Sequence, residues 1–291
     1  MHCLPNTMFG KAITTTNIPA RIFGYLWPDK TQSDSNLQGQ VARLALMTAM
    51  LSVFFEKAAN LFKYSGNLQT MPTILVVGMF VSLLFVLTEK YWRIAVLLFC
   101  LFLLPAVVEN WATYANHGWL AVWTIPAALL FTKFWREPHY ANYLRYTLGI
   151  IMLAACAQKI LAGTYLDGSY IAYLSYFGGT TENMFRFLCS EQTLQTPCGW
   201  HRFLGTFIVL WQFGVGILLL AGVRSFTFLM IEIGFLLGAG LYADEMNFQV
   251  LNISLLCLAF GVGMSYRLFF VCVALLLIDL HGIGEFIGYV L

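Results

Sequence analysis

The chain has 291 residues, of which 59% are hydrophobic, 16% aromatic and only 10% charged, with a formal net charge of +2. An average soluble domain is about 25% charged. That composition excludes a soluble globular domain, and so small a net charge gives no footing for a nucleic-acid partner. Apolar runs of roughly 17–25 residues, the length that crosses a bilayer, recur along the chain. The sequence therefore predicts an all-α, polytopic transmembrane bundle whose first partner is the lipid bilayer.

In chain order, residues 1–40 read as a polar arm, with Pro5, Pro19 and Pro28 and a turn-rich run from Asp29 to Asn36. The stretch from Ile22 to Trp27 suits a membrane surface. No charged region leads into a short apolar core with a cleavage site, so the first spanning helix is expected to direct insertion itself. Residues 41–291 form the transmembrane domain, with helices expected at about 41–62, 71–88, 93–108, 120–134, 143–162, 206–222, 226–242, 247–264 and 268–290. A long polar connection spans 163–205, and loops of that length are usually functional or cover something. In the fifth helix, Gly149, Ala154, Ala155, Cys156 and Ala157 are small enough to let neighbouring backbones approach. Gly234 and Gly238 give the same weak packing signal in the seventh.

Basic residues set the orientation. With nine crossings and the N-terminus cytoplasmic, Lys11, Arg21, Lys30, Arg43, Lys90, Arg93, Lys133, Arg136, Arg145, Arg224 and Arg267 all fall inside, and Lys63, Arg186 and Arg202 outside. The 163–205 loop is then extracytoplasmic, where disulfides persist, and a Cys189–Cys198 bridge is expected. No metal centre is expected: CxxC pairs are absent and His201 stands alone. No phosphate loop, serine nucleophile motif or haem pattern occurs.

The informative residues are charges within apolar helices. Lys159 closes the fifth helix with nothing nearby in sequence to neutralise it. A cation at mid-bilayer costs roughly 2.5–3.5 kcal/mol, less near a helix end. Two readings stand: the amine snorkels to the interface, or it lines a polar cavity with partners from other helices. Glu56 and Lys57 lie in the first helix, Glu232 in the seventh, and Asp279, His281 and Glu285 in the ninth. Interior pairing of Lys159 or Lys57 with Glu232, Asp279 or Glu285 is the economical arrangement. Residues 279–285 read equally well as a water-exposed helix end, and Asp244 and Glu245 as a solvated acidic turn.

Asn116-His117-Gly118-Trp119, Arg145-Tyr146-Thr147-Leu148-Gly149, Ala155-Cys156-Ala157-Gln158-Lys159-Ile160 and Tyr165-Leu166-Asp167-Gly168 together resemble the HTTM (horizontally transferred transmembrane) domain. That domain is the membrane part of vitamin K-dependent gamma-carboxylases and their bacterial relatives. Lys159 falls at the family's lysine, Tyr165 stands where tryptophan is usual, and Gly168 matches the closing glycine after a one-residue insertion. The helix arrangement is also similar to the DoxX-like group of quinone-linked redox proteins and accessory membrane subunits. The resemblance implies a quinone or vitamin K-like lipid as cofactor and redox or carboxylase-like chemistry. It implies Lys159 as the base, with Tyr165, Glu232, Asp279 and Glu285 at the ligand, and a bacterial inner-membrane location. A non-catalytic subunit packed against other membrane subunits is the competing class, and co-purification would separate the two.

Overall fold

The computed structural model describes residues 37–65, 70–88, 90–109, 117–131, 133–177, 188–189, 196–243 and 245–261. The N-terminal arm and the ninth expected helix, with Asp279, His281 and Glu285, lie outside the described residues. Among the described residues there are α-helices and short 3-10 turns and no strand. The helices are α1 (Leu37–Ser65), α2 (Thr70–Val86), α3 (Trp92–Glu109), α4 (His117–Thr124), α5 (Pro138–Ala162), α6 (Ser169–Phe177), α7 (Gly199–Leu220), α8 (Phe226–Ala243) and α9 (Met246–Phe260).

Helix α9 is the centre. Every residue from Gln249 to Phe260 is buried, as expected of a helix apolar nearly all round, which must be covered on every side. The cover comes from α1, α8 and α5, with α4 adding a smaller contact. Helices α2 and α3 pack on each other, and α2 packs on α1. Helix α7 lies along α5, and there the backbones meet closely. A Cβ added at Gly149 would sit 3.2 Å from the Gly216 carbonyl oxygen, and one at Gly216 would sit 3.1 Å from that of Gly149. Gly149 acts here as the sequence suggested, whereas Ala154 and Ala157 are exposed.

The outer surface is apolar. Val77, Leu84 and Phe85 on α2, Leu101 and Leu104 on α3, and Phe203, Leu210 and Phe213 on α7 are all exposed. Three helices, α5, α7 and α8, are long and apolar enough to cross a membrane. An apolar face on the outside is stable against lipid tails and costly against water.

Two expected elements differ. The fourth helix is not one rod over 120–134: α4 stops at Thr124, and 3-10 turns follow at Pro126–Leu130 and Phe134–Arg136. Pro126 lacks the N–H an α-helix needs and its ring crowds the carbonyl four residues back. The 163–205 connection is not a plain loop either, because it contains α6 and the first turns of α7.

Cavity formation at the centre should cost far more than truncation at the lipid face. Leu255→Ala on α9 removes a fully buried side chain and should cost about 2–5 kcal/mol. Leu210→Ala, on the exposed face of α7, should lie within about 0.5 kcal/mol of the parent. Thermal unfolding of both variants in the same detergent measures the difference.

Candidate functional site

Lys159 lies in the last turn of α5. That helix starts with Pro138 in its first turn, where no N–H is required. It ends because Gly163 adopts a left-handed conformation, φ 74° and ψ −24°, and its N–H closes onto the carbonyls of Lys159 and Ile160. The reversal brings Tyr165 back beside Lys159, whose Nζ lies 5.0 Å from the centre of the tyrosine ring. An ammonium at that distance is attracted to the face of an aromatic ring.

The turn holding Tyr165 rests on the first turns of α7. Gly168 has φ 82°, and a Cβ there would lie 2.7 Å from the Arg202 backbone nitrogen. At Gly205 the approach is closer still, since an added Cβ would fall 1.9 Å from the Tyr165 carbonyl oxygen. Helix α6 then begins with Asp167 Oδ1 accepting the Ser169 N–H at 2.8 Å, while Arg202 Nε donates to the Asp167 carbonyl at 3.3 Å. The Ser169 hydrogen bonds, with the Arg202 charge a smaller influence, hold the Asp167 carboxyl below its ordinary value.

The Tyr165 ring beside the amine belongs to a group of three tyrosines. The Tyr170 ring, from α6, stacks on Tyr165 with centroids 4.6 Å apart. Tyr242, at the end of α8, donates its hydroxyl to the Ile171 carbonyl at 3.1 Å and lies 2.9 Å from Ser175 Oγ. Glu245, exposed just after α8, acts on Lys159 through its charge and makes no ion pair with it. Burial, and next the Tyr170 phenol, push the Tyr165 phenol far above its ordinary range, so it stays a neutral hydroxyl. The cluster offers an amine, neutral phenols and π faces, a set suited to a planar ring bearing carbonyl or hydroxyl oxygens.

Glu232 lies elsewhere. Its Oε2 accepts the Trp211 indole N–H at 2.8 Å, and Oε1 is buried without a hydrogen bond. Lys57 is sealed in the bundle at 1% exposure, 3.3 Å from Glu56 Oε1. Gly118 leaves it room, since a Cβ at that glycine would come within 3.3 Å of Nζ. Cys189 and Cys198 are joined in a disulfide with their Cα atoms 6.0 Å apart. The ligand atoms of Cys189, Cys198 and His201 lie within 4.8 Å of one another, but both sulfurs are used in the bridge. His201 Nδ1 accepts the Cys198 N–H at 3.1 Å, which helps cap α7.

Sequence reasoning singled out Lys159 and Tyr165 but not Tyr170, Ser175 or Tyr242, and its reading of Glu245 as solvated agrees with the exposure of that residue. The available signal was Asp167-Gly168-Ser169, a helix start inside the supposed loop. No protein-family model, no curated protein and no solved structure matches the chain significantly.

Gly205→Ala should displace the Tyr165 turn and destabilise the protein by about 1–3 kcal/mol, the usual scale of overpacking. Gly214→Ala on the same helix, where an added Cβ meets nothing within 4 Å, should be neutral or slightly stabilising. Thermal unfolding separates the two. The Asp167 contact should be pH-dependent with a definite sign. A depressed folded-state value means that its contribution is complete above about pH 4 and is lost as pH falls further. Amide protection factors in α6, taken relative to the intrinsic exchange rate at each pH, should fall on acidification of the parent and remain flat in Asp167→Asn, which keeps an acceptor for Ser169 without a titrating group.

Proposed function

We propose that this chain is a polytopic membrane protein of the HTTM/DoxX-like kind that binds a quinone, or a similar lipid-borne ring, at the Lys159 end of the bundle. The observation that carries the reading is the Lys159 amine beside the Tyr165 ring, with Tyr170 stacked on that ring. Ile160 and Leu161, the two residues after Lys159, are exposed on α5, which supports lateral entry of a ligand from the bilayer at this end.

The chemistry follows from the groups. A planar quinone ring stacks on a tyrosine face, and its carbonyl oxygen accepts a hydrogen bond from the amine or a phenol. In its free-base form the Lys159 amine takes the proton of a hydroquinone hydroxyl: the O–H bond breaks, an N–H bond forms, and the electron pair stays on oxygen. The charge of Glu245, which acts on Lys159, favours the ammonium that results.

Titration with a short-chain quinone, followed by quenching of intrinsic fluorescence in micelles, tests the binding. Lys159→Ala should weaken binding about 10-fold or more, the worth of one charge-assisted hydrogen bond, while circular dichroism remains that of the parent. Equal quenching curves for parent and variant would remove the reading.

A further inference from the structure

The opposite end of the bundle holds a second polar feature. Arg145, in the second turn of α5, is buried at 6% exposure. Its guanidinium lies 4.8 Å from the centre of the Tyr146 ring and against the α7–α8 turn, where Gly222 has φ 90° and an added Cβ would fall 2.7 Å from Nη1. The Nε is sealed from solvent without a hydrogen-bond partner. Among the described residues the guanidinium makes no ion pair, and Glu137, the nearest carboxylate along α5, does not reach it.

A guanidinium is always charged and presents its donors as a fork that matches a phosphate. Leaving its buried Nε donor unmatched is costly. Two further features converge on the same turn. Arg224 extends from it and donates to Asn142 Oδ1, one turn before Arg145 on α5. Helix α8 begins at Phe226, with Ser225 Oγ accepting only the Phe228 N–H, so the positive end of an 18-residue helix adds its field.

We propose that Arg145 and Arg224 form a phosphate-binding site at the α7–α8 turn, and that the phosphate is that of an anionic lipid headgroup or, failing that, free phosphate. The lipid form rests on the membrane reading of the fold. Arg136 and Lys90 are exposed, and Arg93 is enclosed against Trp92; what distinguishes Arg145 is that its guanidinium lies against the α7–α8 turn, beside Arg224. The aromatic floor of Tyr146 and the exposed Phe226 suit the acyl-chain side of a headgroup.

The test uses the full-length protein in nanodiscs of phosphatidylcholine alone or with phosphatidylglycerol, read by spin-labelled lipids of each kind. The motionally restricted population should favour phosphatidylglycerol by about tenfold. Arg145→Gln should abolish that preference and Arg224→Gln, an exposed change expected to fold normally, should weaken it. Thermal stabilisation of the detergent-purified protein by inorganic phosphate to the same extent would assign the site to free phosphate instead. No lipid preference and no phosphate effect in the parent would overturn the proposal. So would Arg145→Gln lowering stability equally in both lipids with the preference intact, which makes the arginine structural only. Failure of the protein to enter nanodiscs at all would count against the membrane reading, and with phosphate inert in detergent it would remove the site as well.

Discussion

The structure depends on the enclosure of α9. A helix buried from Gln249 to Phe260 has no face left for solvent or lipid, so its stability comes from neighbours placed on all sides. That requirement dictates the ring of α1, α5, α8 and α4, and it leaves apolar faces of α2, α3, α7 and α8 directed outward. Asn252 turns its Nδ2 back onto its own helix, donating to the Phe248 carbonyl at 3.2 Å, whereas Asn252 Oδ1, Gln249 Oε1 and Ser254 Oγ are buried without a hydrogen bond.

Apart from Lys57, Glu56 and Glu232, which lie within the bundle, the two ends of α5 collect charged groups. One end collects Arg145, Arg224 and the basic residues near Trp92 and Phe134, whose rings lie 5.2 Å apart. The other holds Lys159, Glu245 and the Tyr165, Tyr170 and Tyr242 group, beside the Cys189–Cys198 bridge. Both ends rely on glycine at a tight turn. Gly163 and Gly168 shape the tyrosine turn and Gly222 shapes the arginine turn, each at positive φ, where a side chain is strained. In each case the turn brings an aromatic or a cationic side chain against the end of α5.

Much of the helical layout is legible in the sequence, because an apolar run long enough to span a bilayer leaves few other structures open to it. The break at Pro126 was legible too, and reading 120–134 as one helix gave too little weight to a missing N–H. Helix α6 was harder. Gly163 and Gly168 bracket a turn that looks like loop composition, and a nine-residue helix is short for a periodicity signal. The pairing of charges was the least legible feature, for a geometric reason. Sequence gives the depth of a residue along its own helix but not the direction it faces across the bundle. Glu232 lies ten residues before Tyr242, about 15 Å along α8, and its face meets Trp211, whereas Glu245, beyond the helix end, is the acid near Lys159. Arg145 was likewise taken only as one more basic residue at a helix end, since its enclosure comes from Gly222 on another element.

The central claim is that the end of α5 and the tyrosines beside it form a ligand site open to the bilayer. Photolabelling of the intact membrane-embedded protein with an azido-quinone, followed by mapping of the modified residues, tests it most directly. The account predicts saturable labelling confined to the Lys159–Tyr170 segment and the neighbourhood of Tyr242, displaced by excess unlabelled quinone. Labelling spread along the outer faces of α2, α3 and α7 and insensitive to competitor would contradict it.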